Sequence, residues 1–130
     1  MLKSGSLRLR KGESMSSIQR LSTPHSYSAA VLAGDYVFLG LHRGFGEAFA
    51  EQLEGALAQL KESLAHFDLP LESLVKVNVW LKNIHDLPEM EQAFRRYFPE
   101  AGYPARMTAT TEFIDTDCLL MIDGIAYTRA

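Results

Sequence analysis

The sequence predicts an α+β fold: one mixed β-sheet with two helices packed on a single face. Three observations carry this. Apolar residues alternate with polar ones in several short segments bounded by turn residues, the pattern of half-buried strands. The period shifts to three and four in only two stretches, 47–66 and 85–98, and each follows a strand. The chain has 130 residues, 47% hydrophobic and 22% charged, enough for one compact domain with a real core. No internal repeat is visible.

The elements follow in order. Residues 1–16 carry Lys3, Arg8, Arg10 and Lys11 with no acid before Glu13, and read as a flexible basic arm ahead of a domain spanning 17–130. The arm lacks the continuous apolar core of a secretory signal. "IQRL" (18–21) is a first short strand, and "STPHS" (22–26) is loop chemistry fixed by Pro24. "AAVLAGDYVFLGL" (29–41) reads as two strands around a Gly34-Asp35 turn, with a glycine-containing loop at 42–47. In 47–66, Phe49, Leu53, Ala56, Leu57, Leu60 and Leu64 make one apolar helical face, ended by Asp68 and Pro70. "SLVKVNVWLKN" (73–83) alternates, with Val75, Val77, Val79 and Leu81 on one face and Leu74, Lys76, Asn78 and Trp80 on the other. The second helix, 85–98, takes Asp86 as N-cap and Pro88 in its first turn, and buries Met90, Ala93, Phe94 and Tyr97. Strands at 105–113 and 118–129 flank a turn at Asp115-Thr116-Asp117. The order is β-β-β-α-β-α-β-β.

Composition narrows the function classes. Thirteen basic and sixteen acidic side chains leave a net charge of −3, against the basic excess of a nucleic-acid binder. The single Cys118 excludes an internal disulfide and a thiolate metal site, and fits a reducing, cytoplasmic setting. No apolar run approaches the roughly 20 residues of a membrane-spanning helix. No His, Asp or Glu pair has metal-ligand spacing, so neither metal nor cofactor is expected.

Individual residues offer chemistry. Arg106 opens a strand in "YPARMTATTEF". Its guanidinium is always charged and can grip a carboxylate through two N–H groups; taken alone, it reads first as an ion-pair partner for one of the sixteen acids. Thr108 and Thr110 share its strand face and could offer hydroxyls, or simply form strand. His42 titrates near neutrality and is a candidate base in the 42–47 loop, or a plain solvated histidine. Cys118 reads as a packing residue, since no histidine lies beside it in sequence.

Four blocks taken together resemble the RidA/YjgF family. "YSAAVLAGDYVFLG" is similar to its opening block and "SLVKVNVWLKNIHDLPEMEQAFRRYF" to its middle one. "PARMTATTEF" resembles its Pro-Ala-Arg signature and "IDGIA" its closing block, so the likeness runs from Ile18 to Tyr127. The resemblance implies a chorismate-mutase-like α+β domain assembled as a homotrimer, with ligand clefts between subunits. It also implies hydrolysis of enamine or imine intermediates of amino-acid metabolism to 2-oxo acids and ammonia. In that frame Arg106 clamps the substrate carboxylate, Tyr27 lines the cleft, and Leu41 stands where a glycine N–H meets the carboxylate. A trimer also makes physical sense, because the sheet face without helices needs a partner.

Two departures from the family pattern matter. "LGLH" (39–42) replaces its "SGQ" region, and Met121 occupies the position of the glutamate that activates water. A thioether cannot accept that proton, so His42 is the substitute base for the deaminase reading. The alternative reading is a non-catalytic trimeric binding protein for small carboxylates such as 2-oxo acids.

Overall fold

The computed structural model describes residues 17–129; the predicted arm at 1–16 lies outside the described residues. Strand building begins at the tightest turn. Gly34 takes φ 61°, the left-handed region open to glycine, so that Ala33 pairs directly with Tyr36. The elements are β1 (Ile18–Ser22), β2 (Ser28–Ala33), β3 (Tyr36–His42), α1 (Phe49–Ala65), β4 (Leu74–Leu81), α2 (Leu87–Tyr97), β5 (Ala105–Thr110) and β6 (Leu120–Tyr127). The sheet order is β1-β2-β3-β6-β4-β5. Neighbours run antiparallel except β4 and β5, which are parallel because α2 returns the chain across the sheet. The predicted order and mixed sheet are observed.

Both helices cover one face. From α1, Phe49, Leu53, Ala56, Leu57, Leu60 and Leu64 are buried, as the periodicity predicts. From α2, Met90, Ala93 and Phe94 join the same core. Val37, Leu39, Val77, Val79, Leu81, Leu120 and Ile122 meet them from the sheet. At the start of α1 the Ala48 N–H donates to Glu51 Oε1 (3.1 Å), satisfying one otherwise orphaned donor. Past its end, Asp68 turns the chain at φ 56°.

Three expectations are corrected. Asp86 precedes α2 but its side chain makes no capping bond; its backbone N–H closes a short turn onto Asn83 O instead. In β4 the strict alternation breaks at its start, where the register with β6 slips between Leu74 and Lys76. Leu74 is therefore buried with Val77, Val79 and Leu81, while Val75 is exposed. The third concerns His42, which ends β3 rather than lying in a loop.

A second slip shapes the far end of β3. Leu39 pairs with Gly124 and His42 with Ile122, so Gly40 and Leu41 together oppose Asp123. This bulge turns the Leu41 side chain outward, 54% exposed. The loop that follows lies flat on α1. A Cβ on Gly44 would fall 2.3 Å from the Gln52 carbonyl oxygen and 2.7 Å from the Gly55 Cα, so the contact requires glycine.

Gln52 ties these loops together from the core. It is fully buried; its Nε2 donates to Gly46 O (2.9 Å) and Asp117 O (2.8 Å), and its Oε1 accepts from the Leu119 N–H (2.8 Å). Sequence periodicity gave no sign of this role. Gln52→Leu keeps the bulk but leaves three backbone groups unpaired. Urea unfolding is expected to register a loss of about 3 kcal/mol or more, since each buried orphan costs roughly 1–3 kcal/mol. A loss under about 1 kcal/mol would mean water replaces the amide.

Candidate functional site

The strand register sorts the predicted site residues into two groups. The first lies at the β2–β3 side. A turn bonded from Thr23 Oγ1 to Tyr27 O (2.6 Å), with the His25 N–H donating back to Thr23 Oγ1 (3.1 Å), carries the chain into β2. It presents Tyr27, 61% exposed, with its ring stacked on His25 at 5.8 Å. Leu41 at the bulge belongs to the same side.

The second group lies on β5, at the edge of the sheet. Arg106 pairs in register with Val77 and Thr108 with Val79, so both side chains stand on the helix-bearing face. Arg106 Nη2 donates to Glu91 Oε2 from α2, and its guanidinium lies 5.3 Å from the Phe94 ring centroid. The arginine is thus held from below by an aromatic face and from one side by a carboxylate. About a quarter of its side chain remains exposed. Thr108 Oγ1 is shielded from solvent and lacks a hydrogen-bond partner among the described residues, an arrangement proteins rarely leave unfilled.

These groups do not meet within one chain. β6 and β4 separate β3 from β5, which sets the two sides roughly 14 Å apart at ordinary strand spacing.

Met121 pairs with Trp80 on the opposite, helix-free face. Asp123, two residues on, accepts from Asn78 Nδ2 and Trp80 Nε1, each at 2.8 Å. One donor holds each carboxylate oxygen, which fits a structural acid. The helix-free face is strongly apolar. Tyr36, Phe38, Leu41 and Met107 are each between 43% and 58% exposed, and Tyr36 packs on Tyr127 at 5.3 Å. Such an area on one sheet face marks an interaction surface.

His42 departs most from expectation. It is buried against α1, with Nδ1 at 2.7 Å from Gly40 O and Nε2 at 2.7 Å from Ser63 Oγ. A carbonyl can only accept, so Nδ1 carries the proton and Ser63 donates to Nε2. Neither nitrogen is left for a water, and the ring bridges the bulge to the helix. Burial holds its pKa below the usual histidine value, against the opposing pull of the Gly40 bond and Asp123. The unfolded chain therefore binds a proton at a pH where the folded one does not. The His42 contribution to stability is expected to be constant above neutrality and to fall as pH drops through about 6.5. His42→Gln should flatten that slope in urea titrations; an unchanged slope would locate the titration elsewhere. Cys118 is buried, its thiol pushed up by burial, with Sγ 3.4 Å from Leu120 O, which agrees with a packing residue.

No helix among the described residues is long and apolar enough to cross a membrane. Comparison with known proteins gives the fold a context. A RutC family protein of Pyrococcus horikoshii is 29% identical over 109 residues, covering 78% of this chain and 86% of that protein. A protein named 2-iminobutanoate/2-iminopropanoate deaminase, from Dermatophagoides farinae, is 25% identical over 107 residues, covering 76% and 83%. Among solved structures, a YjgF family member from Neisseria meningitidis superposes with a TM-score of 0.84 at 24% identity, over 90% of this chain and 99% of that one. A yjgF family member from Streptococcus pyogenes gives 0.79 at 28% identity, over 87% and 98%. The family profile described as Endoribonuclease L-PSP matches residues 17–128. Fold, strand order and sequence agree: the chain belongs to this family, that of the RidA/YjgF proteins.

Proposed function

We propose that this protein is a RidA-like enamine/imine deaminase acting on a small carboxylate-bearing intermediate. Its cleft forms between copies of the chain, as a homotrimer. The separation of Tyr27 and Leu41 from Arg106 and Thr108 across the sheet carries the reading, because only a neighbouring copy can bring the halves together. The apolar helix-free face supplies the contact. Arg106 clamps the carboxylate, while the Leu41 N–H adds a hydrogen bond to it. Tyr27 covers the carbon chain. Water adds to the C=N carbon, its proton passes to nitrogen, and the carbinolamine collapses to a 2-oxo acid and ammonia.

A second reading, binding of small carboxylates without turnover, is favoured by two observations. Met121 holds no proton acceptor, and both His42 nitrogens are engaged. Assay with freshly generated 2-iminopropanoate separates the two. The deaminase reading expects acceleration over buffer, raised about tenfold or more in Met121→Glu, since a placed general base is worth roughly 10²–10⁴. No acceleration by either protein, with 2-oxobutanoate still bound, leaves the binding protein. The net charge of −3 weighs against a polyanionic RNA substrate in either case.

A further inference from the structure

Glu91 is positioned to read the ligand as well as to hold Arg106. Its Oε2 accepts from Arg106 Nη2, while Oε1 lies 3.8 Å from Arg95 Nη2, one helical turn away. Glu91 is about one-third exposed and Arg106 about one-quarter, so a ligand reaching the guanidinium also meets the carboxylate. Among the described residues Arg106 makes one side-chain hydrogen bond, through Nη2, which leaves the rest of its fork to receive an anion. Phe94 lies beneath it.

The patch therefore carries both signs side by side. A 2-oxo acid gains the arginine but brings its own negative charge toward Glu91. A molecule with a protonated nitrogen on the carbon beside its carboxylate complements both: the carboxylate takes the open N–H groups, and the nitrogen donates to Glu91. We infer that Glu91 is a specificity-determining residue that favours amino or iminium acids over the corresponding 2-oxo acids. This rests on the carboxylate-clamp reading of Arg106 and adds a consequence. Loss of nitrogen as ammonia removes the ligand group that pairs with Glu91, so the product is held less tightly than the substrate.

Isothermal titration with 2-aminobutanoate and 2-oxobutanoate tests this on the wild-type protein and on Glu91→Gln, with Arg106→Met as control. The wild type should prefer the amino acid. Glu91→Gln should shift the ratio of the two dissociation constants about tenfold toward the oxo acid, the worth of one charge-assisted bond. If both ligands weaken equally, Glu91 only steadies Arg106, and the inference fails while the clamp stands. An unchanged ratio with unchanged affinities likewise overturns it. If neither ligand binds the wild type at millimolar concentration, or if Arg106→Met binds as well as the wild type, the clamp itself is wrong and the inference falls with it.

Discussion

Arg106→Met is expected to weaken binding of a small carboxylate by about 100-fold, because a paired guanidinium–carboxylate contact is the strongest single interaction the site offers. The fold should survive the change. The bond to Glu91 is partly exposed on both sides, and such pairs contribute roughly 0–1 kcal/mol. The thioether can still pack over Phe94 where the arginine stem does. Arg106→Lys should lie between the two, since an ammonium keeps the charge but not the planar fork. Calorimetric titration with 2-oxobutanoate, beside urea unfolding of the same samples, checks both halves. Loss of affinity with unchanged unfolding is the expected pair; unchanged affinity would remove Arg106 from the site.

Phe38→Glu is expected to disperse the assembly. Phe38 is 46% exposed in the single chain, beside Tyr36 at 6.5 Å between ring centroids. Tyr36 in turn packs on Tyr127. In a closed trimer these rings are covered, and an unpaired carboxylate there costs several kcal/mol at each copy. Side chains facing away from the core do not hold the monomer fold, so circular dichroism should be little altered. Sedimentation velocity should find the wild type at three times the chain mass and Phe38→Glu at one. A wild type already at the chain mass would end the shared-cleft proposal. Carboxylate binding should disappear with dispersal, which links the assembly to the site rather than to stability alone.

Much of this architecture was legible from local patterns. Both helices declare themselves by apolar residues at three- and four-residue spacing, and those positions are buried in the structure except Tyr97, which is only partly covered. Gly34-Asp35 marks its turn because a left-handed backbone is needed there. What escaped depends on contacts distant in sequence. The slip at Leu74–Lys76 inverts the start of β4, and no pattern within β4 alone encodes a register set by β6. His42 read as a loop residue because Gly40 and Leu41 form a bulge that returns it to the core face. Its partner Ser63 lies 21 residues away. Glu91 sits off the apolar stripe of α2, and its closeness to Arg106 comes from the α2–β5 packing. Gln52 was hidden for the same reason, a polar residue at a core position whose partners are loop backbone groups.

Subunit complementation tests the shared cleft most directly. Leu41→Asp places a negative charge beside the incoming carboxylate on one half of the cleft, at an exposed side chain. Arg106→Met empties the other half. Each variant alone should show no 2-oxobutanoate binding at concentrations that just saturate the wild type. When the two are unfolded together and refolded as mixed trimers, roughly one cleft in four should draw both halves from intact donors, given random assembly into a closed ring. Recovery of about a quarter of the wild-type binding capacity is the expected result. No recovery, in mixtures shown by mass to contain both chains, would mean that one chain holds the whole site.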